Sequence, residues 1–144
     1  MKVFIMRGLP GSGKSTWVRD NVGSAFICSA DKFHMVDGKY QYDPKKAGEA
    51  HANCLRNFVE LIYRGSGLDV VVDNTNTSAA ELAPYVRLCE AFKLDFEIIY
   101  LHCSLEAAHA WNTHNVPFST IMAMNANLLT EKLPWPQTVR FIKR

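Results

Sequence analysis

Gly8-Leu9-Pro10-Gly11-Ser12-Gly13-Lys14-Ser15 matches the pattern G-x-x-x-x-G-K-[S/T] without a mismatch, between a strand-like run and a helical stretch over residues 16 to 20. At average composition this pattern arises by chance in roughly one chain of this length in 200. Its glycines let backbone N–H groups converge on phosphate oxygens with no Cβ in the way, and the following helix turns the positive end of its dipole toward the same anion. Gly8, Pro10, Gly11, Ser12, Gly13, Lys14, Ser15 and Thr16 are therefore the candidate ATP contacts. Lys14 is expected to reach the β- and γ-phosphates, and the Ser15 hydroxyl to coordinate Mg²⁺.

Outward from this loop, short apolar runs alternate with helical patterns. The runs lie at Lys2–Met6, Ala25–Cys28, Leu68–Asp73, Phe96–Leu101 and, more weakly, Thr138–Ile142. Runs without polar alternation are what strands show when helices cover both faces, so the expected fold is α/β: about five mostly parallel strands with helices on both sides. Leu68–Asp73 and Phe96–Leu101 are expected at its centre. A long helix is signalled by Asp43 as N-cap, Pro44 at its first position, an apolar stripe through Ala47, Cys54, Phe58 and Leu61, and Gly65 as its stop. Ser78-Ala79-Ala80-Glu81 reads as a capping box opening another helix, with Leu82, Tyr85, Val86, Cys89 and Phe92 on its buried side and Pro84 distorting its first turns. A last helix is expected over residues 119 to 129, with Pro134 and Pro136 marking an irregular passage to the final strand.

Composition sets the outer bounds. The 144 residues suit one domain spanning 1–144, and 48% hydrophobic against 21% charged residues supports a buried core and excludes a disordered or collagen-like chain. A net charge of +2 is too small to name a nucleic-acid partner. Cys28, Cys54, Cys89 and Cys103 form no Cys-x-x-Cys pair, which fits reduced thiols in the cytoplasm better than a disulfide scaffold or a zinc site. The N-terminal apolar run is too short for a secretory signal, and no stretch is long enough for a membrane helix.

Phosphoryl transfer to a hydroxyl needs a carboxylate to accept the proton, and in α/β folds such groups sit where strands end at their carboxyl edge. Asp31, after Ser29-Ala30, and Asp73, closing Val70-Val71-Val72-Asp73, both qualify. Asp31 could instead cap a helix, and Asp73 could stabilise a turn. A hydrophobic strand ending in Asp is also the pattern that holds Mg²⁺, which makes Ser15 and Asp73 the candidate metal donors.

Arg7 to Thr16, Ser29-Ala30-Asp31, Gly38-Lys39-Tyr40, Ala50-His51, Asp73-Asn74-Thr75-Asn76-Thr77 and Pro84-Tyr85-Val86 together resemble the P-loop kinase-like domain of Nedd-type ubiquitin-ligase-binding proteins, over about residues 3 to 101. More distantly, Pro10 to Trp17 is similar to the kinase half of bacteriophage polynucleotide kinase. That resemblance implies transfer of the γ-phosphate of ATP to a polynucleotide 5′-hydroxyl, with Asp31 as general base and Lys14 and Ser15 at the nucleotide. It also places His34 where the phage-type enzyme has an arginine, and sets Asn74 at its later acidic position, with Asp73 one step earlier. His51, Asn74 and Asn76 join the candidate substrate residues on the same grounds.

The lid, expected at about residues 104–118, departs from that family. Its members carry arginines there, whereas no Lys or Arg occurs between Lys93 and Lys132, and Trp111, Asn112, His114 and Asn115 stand in their place. Since such an arginine is worth about 10³ to 10⁵ in rate, its absence implies a slow enzyme, another donor of positive charge or no transfer; beside the polynucleotide kinase stand a small-metabolite kinase, favoured by the weak basic charge, and a nucleotide-binding module with little transfer, favoured by the arginine-free lid. His109 and His114, when protonated, are the local substitutes. His51 fits a packed helix face as well as a site, and Trp111 fits packing as well as base stacking. Lys45, Lys46, Arg56 and Arg64, mixed with Glu49 and Glu60, read as solvated helix surface.

Overall fold

A computed structural model describes residues 1–142. Five strands form one parallel sheet: β1 (Lys2–Arg7), β2 (Ala25–Cys28), β5 (Asp69–Asp73), β6 (Asp95–His102) and β7 (Thr138–Phe141), in the order β2-β5-β1-β6-β7. Between them run α1 (Lys14–Asn21), α2 (Ala47–Arg64), α3 (Ala79–Ala91), α4 (Leu105–Ala110) and α5 (Phe118–Thr130). The strand runs read from the sequence are all present. The middle strand is β1, with the two most apolar runs on either side of it.

Alternation along β1 divides the core in two. Val3 and Ile5 pack with Val70, Val72 and Ile98 beneath Phe58 of α2 and Leu82 and Val86 of α3, whereas Met6 packs with Val71, Ile99 and Leu101 beneath Val18 of α1. Both faces are dry, which is why these strands lack polar alternation. A third cluster, Leu9, Tyr100, Cys103, Ala108, Ile121 and Leu128, ties α4 and α5 to the strand ends.

Capping follows the sequence with small shifts. Asp43 accepts from the Lys45 backbone N–H and starts a 3₁₀ turn, Pro44–Lys46, that leads into α2. Along α2 the buried stripe is Ala50, Cys54, Phe58 and Ile62; Ala47 and Leu61 are only partly buried, one residue off the line facing the sheet. Ser78 caps α3 by accepting from Glu81 N–H, but the Glu81 carboxylate reaches back to Thr77 N–H and hydroxyl rather than to the cap itself. The helix continues through Pro84 without a break. Phe92, expected on its buried side, is 46% exposed because it follows the last turn, where the chain leaves the helical line toward β6.

The sequence reading contains no hairpin, yet β3 (Met35–Val36) and β4 (Lys39–Tyr40) pair antiparallel. Asp37 and Gly38 make the two-residue turn, both with positive φ (50° and 77°), the conformation an Asp-Gly hairpin loop adopts. All four cysteines are buried, and among the described residues no group of three or more His, Cys, Asp or Glu could hold a metal ion. No helix among these residues is long and apolar enough to cross a membrane.

Candidate active site

The 8–15 loop connects β1 to α1 at the carboxyl edge of the sheet. Gly8 N–H donates to Thr75 O at 3.1 Å, tying the loop to the segment after β5. A Cβ on Gly8 would stand 2.8 Å from Leu101 O and 2.9 Å from Ser12 Oγ; one on Gly11 (φ +82°) would stand 2.3 Å from Ala108 O. The loop thus depends on glycine against β6 on one side and against the end of α4 on the other.

Lys14 Nζ donates to Gly8 O and Leu9 O at 3.0 and 2.9 Å, curling over the loop. Burial lowers its pKa, and the negative charges of Asp73 and Asp31 oppose that effect. Both carboxylates named in the sequence reading therefore act on this one ammonium. Ser15 Oγ donates to Asp73 Oδ2 at 2.9 Å, so the two candidate metal donors are in contact. Pro10 and Thr16 lie on the same loop and the first turn of α1.

Asp31 is not a helix cap: Ser29 caps the 3₁₀ turn Ala30–His34, its hydroxyl accepting from Asp31 N–H. The Asp31 carboxylate is exposed, accepting from the Tyr40 hydroxyl at 3.3 Å through Oδ1 and facing His114 Nε2 at 4.0 Å through Oδ2. Burial, then Asp31, raises the Tyr40 pKa and keeps the phenol protonated as a donor. The His114 ring lies 3.9 Å from that of Tyr40, so the segment between α4 and α5 and the hairpin meet at Asp31.

The remaining candidates divide. His34 is buried and packs edge-on against Tyr40 and Tyr42. Asn74 is buried, Oδ1 accepting from Ala30 N–H and Nδ2 facing Cys54 Sγ at 3.5 Å. Asn76, at φ 45°, donates to Met6 O at 2.8 Å. Both side chains hydrogen-bond backbone groups at the strand ends. Asn112 donates to Val116 O at 2.7 Å, closing the turn between α4 and α5. His51 is exposed, on the rim of a cavity of about 240 Å³ between α2 and α3 with Leu55, Asn76, Pro84 and Tyr85.

Arg7 and Tyr40 lie inside the motifs quoted above, which give neither a part in the expected site. Arg7 is fully buried, donating through Nε to Asn76 O (2.8 Å), through its two terminal nitrogens to Gln137 Oε1 (2.8 Å) and Thr77 O (3.1 Å), and lying over the Tyr100 ring. A lone charge closing an apolar strand was its signal; the Asp37-Gly38 turn was the signal for Tyr40.

A phosphate loop at the carboxyl edge of a parallel sheet, with a lysine, a serine–aspartate pair and a second carboxylate around it, defines a P-loop kinase-like nucleotide-binding domain. The profile of the AAA domain family AAA_33 matches residues 3–128, and the chain belongs to that family. Human NEDD4-binding protein 2 is 38% identical over 94 residues, 63% of this chain but 5% of that protein. A chain of the Pnkp1/Rnl/Hen1 RNA repair complex superimposes with a TM-score of 0.70 at 22% identity, over 89% of this chain and 44% of that one. The Mycobacterium tuberculosis APS kinase CysC, solved with AMPPNP and APS, superimposes with a TM-score of 0.60 at 16% identity, over 99% of this chain and 89% of that one. This chain thus spans less than half the length of the first two.

Proposed function

We propose that this domain transfers the γ-phosphate of ATP to the 5′-hydroxyl of a polynucleotide. The observation that carries the reading is Asp73 bonded to Ser15 at the end of the phosphate loop, with the exposed Asp31 carboxylate near enough for its charge to act on the same Lys14.

The residues present fit the nucleotide and its metal. Ser12 Oγ is buried with no hydrogen-bond partner among the described residues, and Gly8 and Gly11 keep the loop clear of side-chain atoms. Ser15 and Asp73 supply the hard oxygen donors that Mg²⁺ prefers, and the ion's part in such chemistry is to neutralise charge on the β- and γ-phosphates. Lys14 exchanges its bonds to Gly8 O and Leu9 O for phosphate oxygens. Asp31 takes the proton of the acceptor hydroxyl as the new O–P bond forms and the bond from the γ-phosphorus to the β,γ-bridging oxygen breaks, ADP leaving with that electron pair. Tyr40 holds Asp31 Oδ1 and so directs Oδ2 to the acceptor.

The polynucleotide acceptor is supported by similarity in fold to a chain of an RNA repair complex. A small-metabolite acceptor is the second reading, favoured by the modest net charge of +2 and the near-complete overlap with APS kinase. Transfer of labelled γ-phosphate to 5′-hydroxyl RNA and DNA oligonucleotides, in competition with a panel of metabolite alcohols, separates the two.

A further inference from the structure

The tip of a 5′-hydroxyl strand presents a hydroxyl, then a flat base, and only then, on its 3′ side, the first phosphate. A surface that receives such an end therefore needs a carboxylate, an apolar face and a cation in that order. The segment following Asp31 supplies the last two. The Tyr40 hydroxyl is bonded to Asp31 Oδ1, the Tyr40 ring packs edge-on against His34 at 5.8 Å, and Tyr42 packs on the same His34 ring at 5.0 Å. Met35 stands opposite Tyr40 in the hairpin, so the two side chains leave on one face.

Scattered apolar residues on a surface call for no explanation, but these are grouped beside the candidate base. Of the rings on His34, Phe33 and Tyr40 are half-buried, with His114 packed on Tyr40, whereas Tyr42 is 54% exposed; Met35 is 47% exposed. Charge follows the same segment. Residues 32–46 hold four lysines and two aspartates, a net +2 that equals the charge of the whole chain, so the rest of the molecule balances to zero. Lys45 and Lys46 are exposed in the 3₁₀ turn just past Tyr42, ahead of α2 rather than on it, and their ammonium groups meet no carboxylate among the described residues. The Asp43 carboxylate beside them is turned to the Lys45 backbone N–H as a cap. An exposed ring next to unpaired lysines is the arrangement that holds single-stranded nucleic acid, bases on the ring and phosphates on the cations.

We infer that the face formed by Tyr42 and Met35 is the landing surface for the terminal base of a single-stranded acceptor, with Lys45 and Lys46 on the phosphates that follow and the 5′-hydroxyl directed to Asp31. This rests on the reading of Asp31 as the base for a polynucleotide hydroxyl, and deepens it by naming the form of the strand and the way it is held. Recognition is indifferent to sequence, because every base has a face to stack. It favours an unpaired end, because such a base can turn away from its neighbours and onto the ring. A carboxylate at the tip suits a hydroxyl, which carries no charge to repel, while the lysines lie where the strand becomes anionic.

The test is fluorescence titration of single-stranded 5′-hydroxyl RNA and DNA oligonucleotides, carrying 2-aminopurine as the terminal base to report stacking, with wild type, Tyr42→Ala, Tyr42→Phe and the double variant Lys45→Gln/Lys46→Gln. Tyr42→Ala is expected to bind about 10-fold more weakly and to lose the emission change, and Tyr42→Phe to keep both, on the scale of one stacked base. The double lysine variant keeps the emission change but flattens the dependence of log Kd on log salt by about 1.4, as two lost phosphate contacts require. AMPPNP affinity, the same in all four proteins, shows that the phosphate loop is intact. Equal affinity of Tyr42→Ala and wild type, or equal competition by a blunt duplex bearing the same end, overturns the proposal. Its failure is distinct from that of the kinase reading: label transferred to oligonucleotide ends with Tyr42→Ala binding as wild type does overturns the surface alone, and binding through Tyr42 without transfer overturns the kinase reading alone. Absence of binding to both RNA and DNA overturns the surface together with the polynucleotide acceptor.

Discussion

The hydroxyl of Ser15 donates to Asp73 Oδ2 at 2.9 Å, joining the first turn of α1 to the end of β5 across the sheet edge. The pair forms because β5 lies directly beside β1, with Met6 opposite Asp73 in register, so the loop leaving β1 returns over the last residue of its neighbour. Asp73→Asn keeps the shape and removes the charge. Its ATP affinity in the presence of Mg²⁺ is expected to fall about 10- to 100-fold, toward the value that wild type shows after metal removal with EDTA. Equal affinity in wild type with and without chelator, measured by fluorescence of a labelled nucleotide, counts against a metal at this pair.

Gly11 gives a steric prediction. A methyl group there meets backbone, Ala108 O at 2.3 Å, and backbone cannot swing aside. With the added strain of φ +82°, Gly11→Ala is expected to destabilise the fold by about 1–3 kcal/mol and to push α4 off the loop. A urea midpoint equal to that of wild type shows that α4 is not seated there.

Arg7 gives an energetic one. It serves the carbonyls of Asn76 and Thr77 and is itself fully buried, so Arg7→Met leaves those acceptors without their donor and is expected to cost about 3 kcal/mol. Arg7→Lys recovers only part of this, since one ammonium cannot reproduce the guanidinium fork that meets both carbonyls and Gln137. Chemical denaturation of the three proteins orders them wild type, Lys, Met; a Lys variant as stable as wild type shows that charge alone suffices.

Acid sensitivity is expected at Glu97. Burial alone would raise its pKa, but hydrogen bonds from Thr138 and Lys2, with the charges of Lys2 and Arg140, outweigh that and hold it below the ordinary 4.5. A carboxylate depressed in the folded state contributes stability that is complete above its unfolded pKa and is lost as pH falls through the folded one. Glu97→Gln is therefore less stable than wild type at neutral pH, by no more than about 1 kcal/mol for so exposed a pair, and the difference closes below about pH 4. Thermal melts across pH 3 to 7, expected to converge at the acid end, check this.

Much of this was legible in the residues because short-range rules govern it. The strands announce themselves as apolar runs, Asp43 and Ser78 act as caps where their side chains can reach backbone N–H groups, and the glycines of the loop mark where backbone must approach backbone. What stayed hidden depends on contacts between distant segments. Asn74 and Asn76 carry the polar character of site residues, but their side chains are taken up by Ala30 N–H and Met6 O, partners that the sheet order alone brings near. The meeting of Asp31, Tyr40 and His114 joins a 3₁₀ turn, a hairpin and the α4–α5 connection, separated by up to 83 positions, and no local pattern reports it. The hairpin has a local signal of its own, the Asp37-Gly38 turn pair, but its two-residue strands leave no periodicity beside it.

The central claim is that Asp31 removes the acceptor proton while Lys14 and the loop hold the phosphates. The most direct measurement is transfer of labelled γ-phosphate from ATP·Mg²⁺ to 5′-hydroxyl oligonucleotides by wild type, Asp31→Asn and Lys14→Ala, with nucleotide affinity recorded on the same preparations. The account expects labelled ends from wild type, a loss of about 10² to 10⁴ in rate for Asp31→Asn at nearly unchanged ATP affinity, and loss of both transfer and affinity for Lys14→Ala. Turnover by Asp31→Asn at the wild-type rate would contradict it.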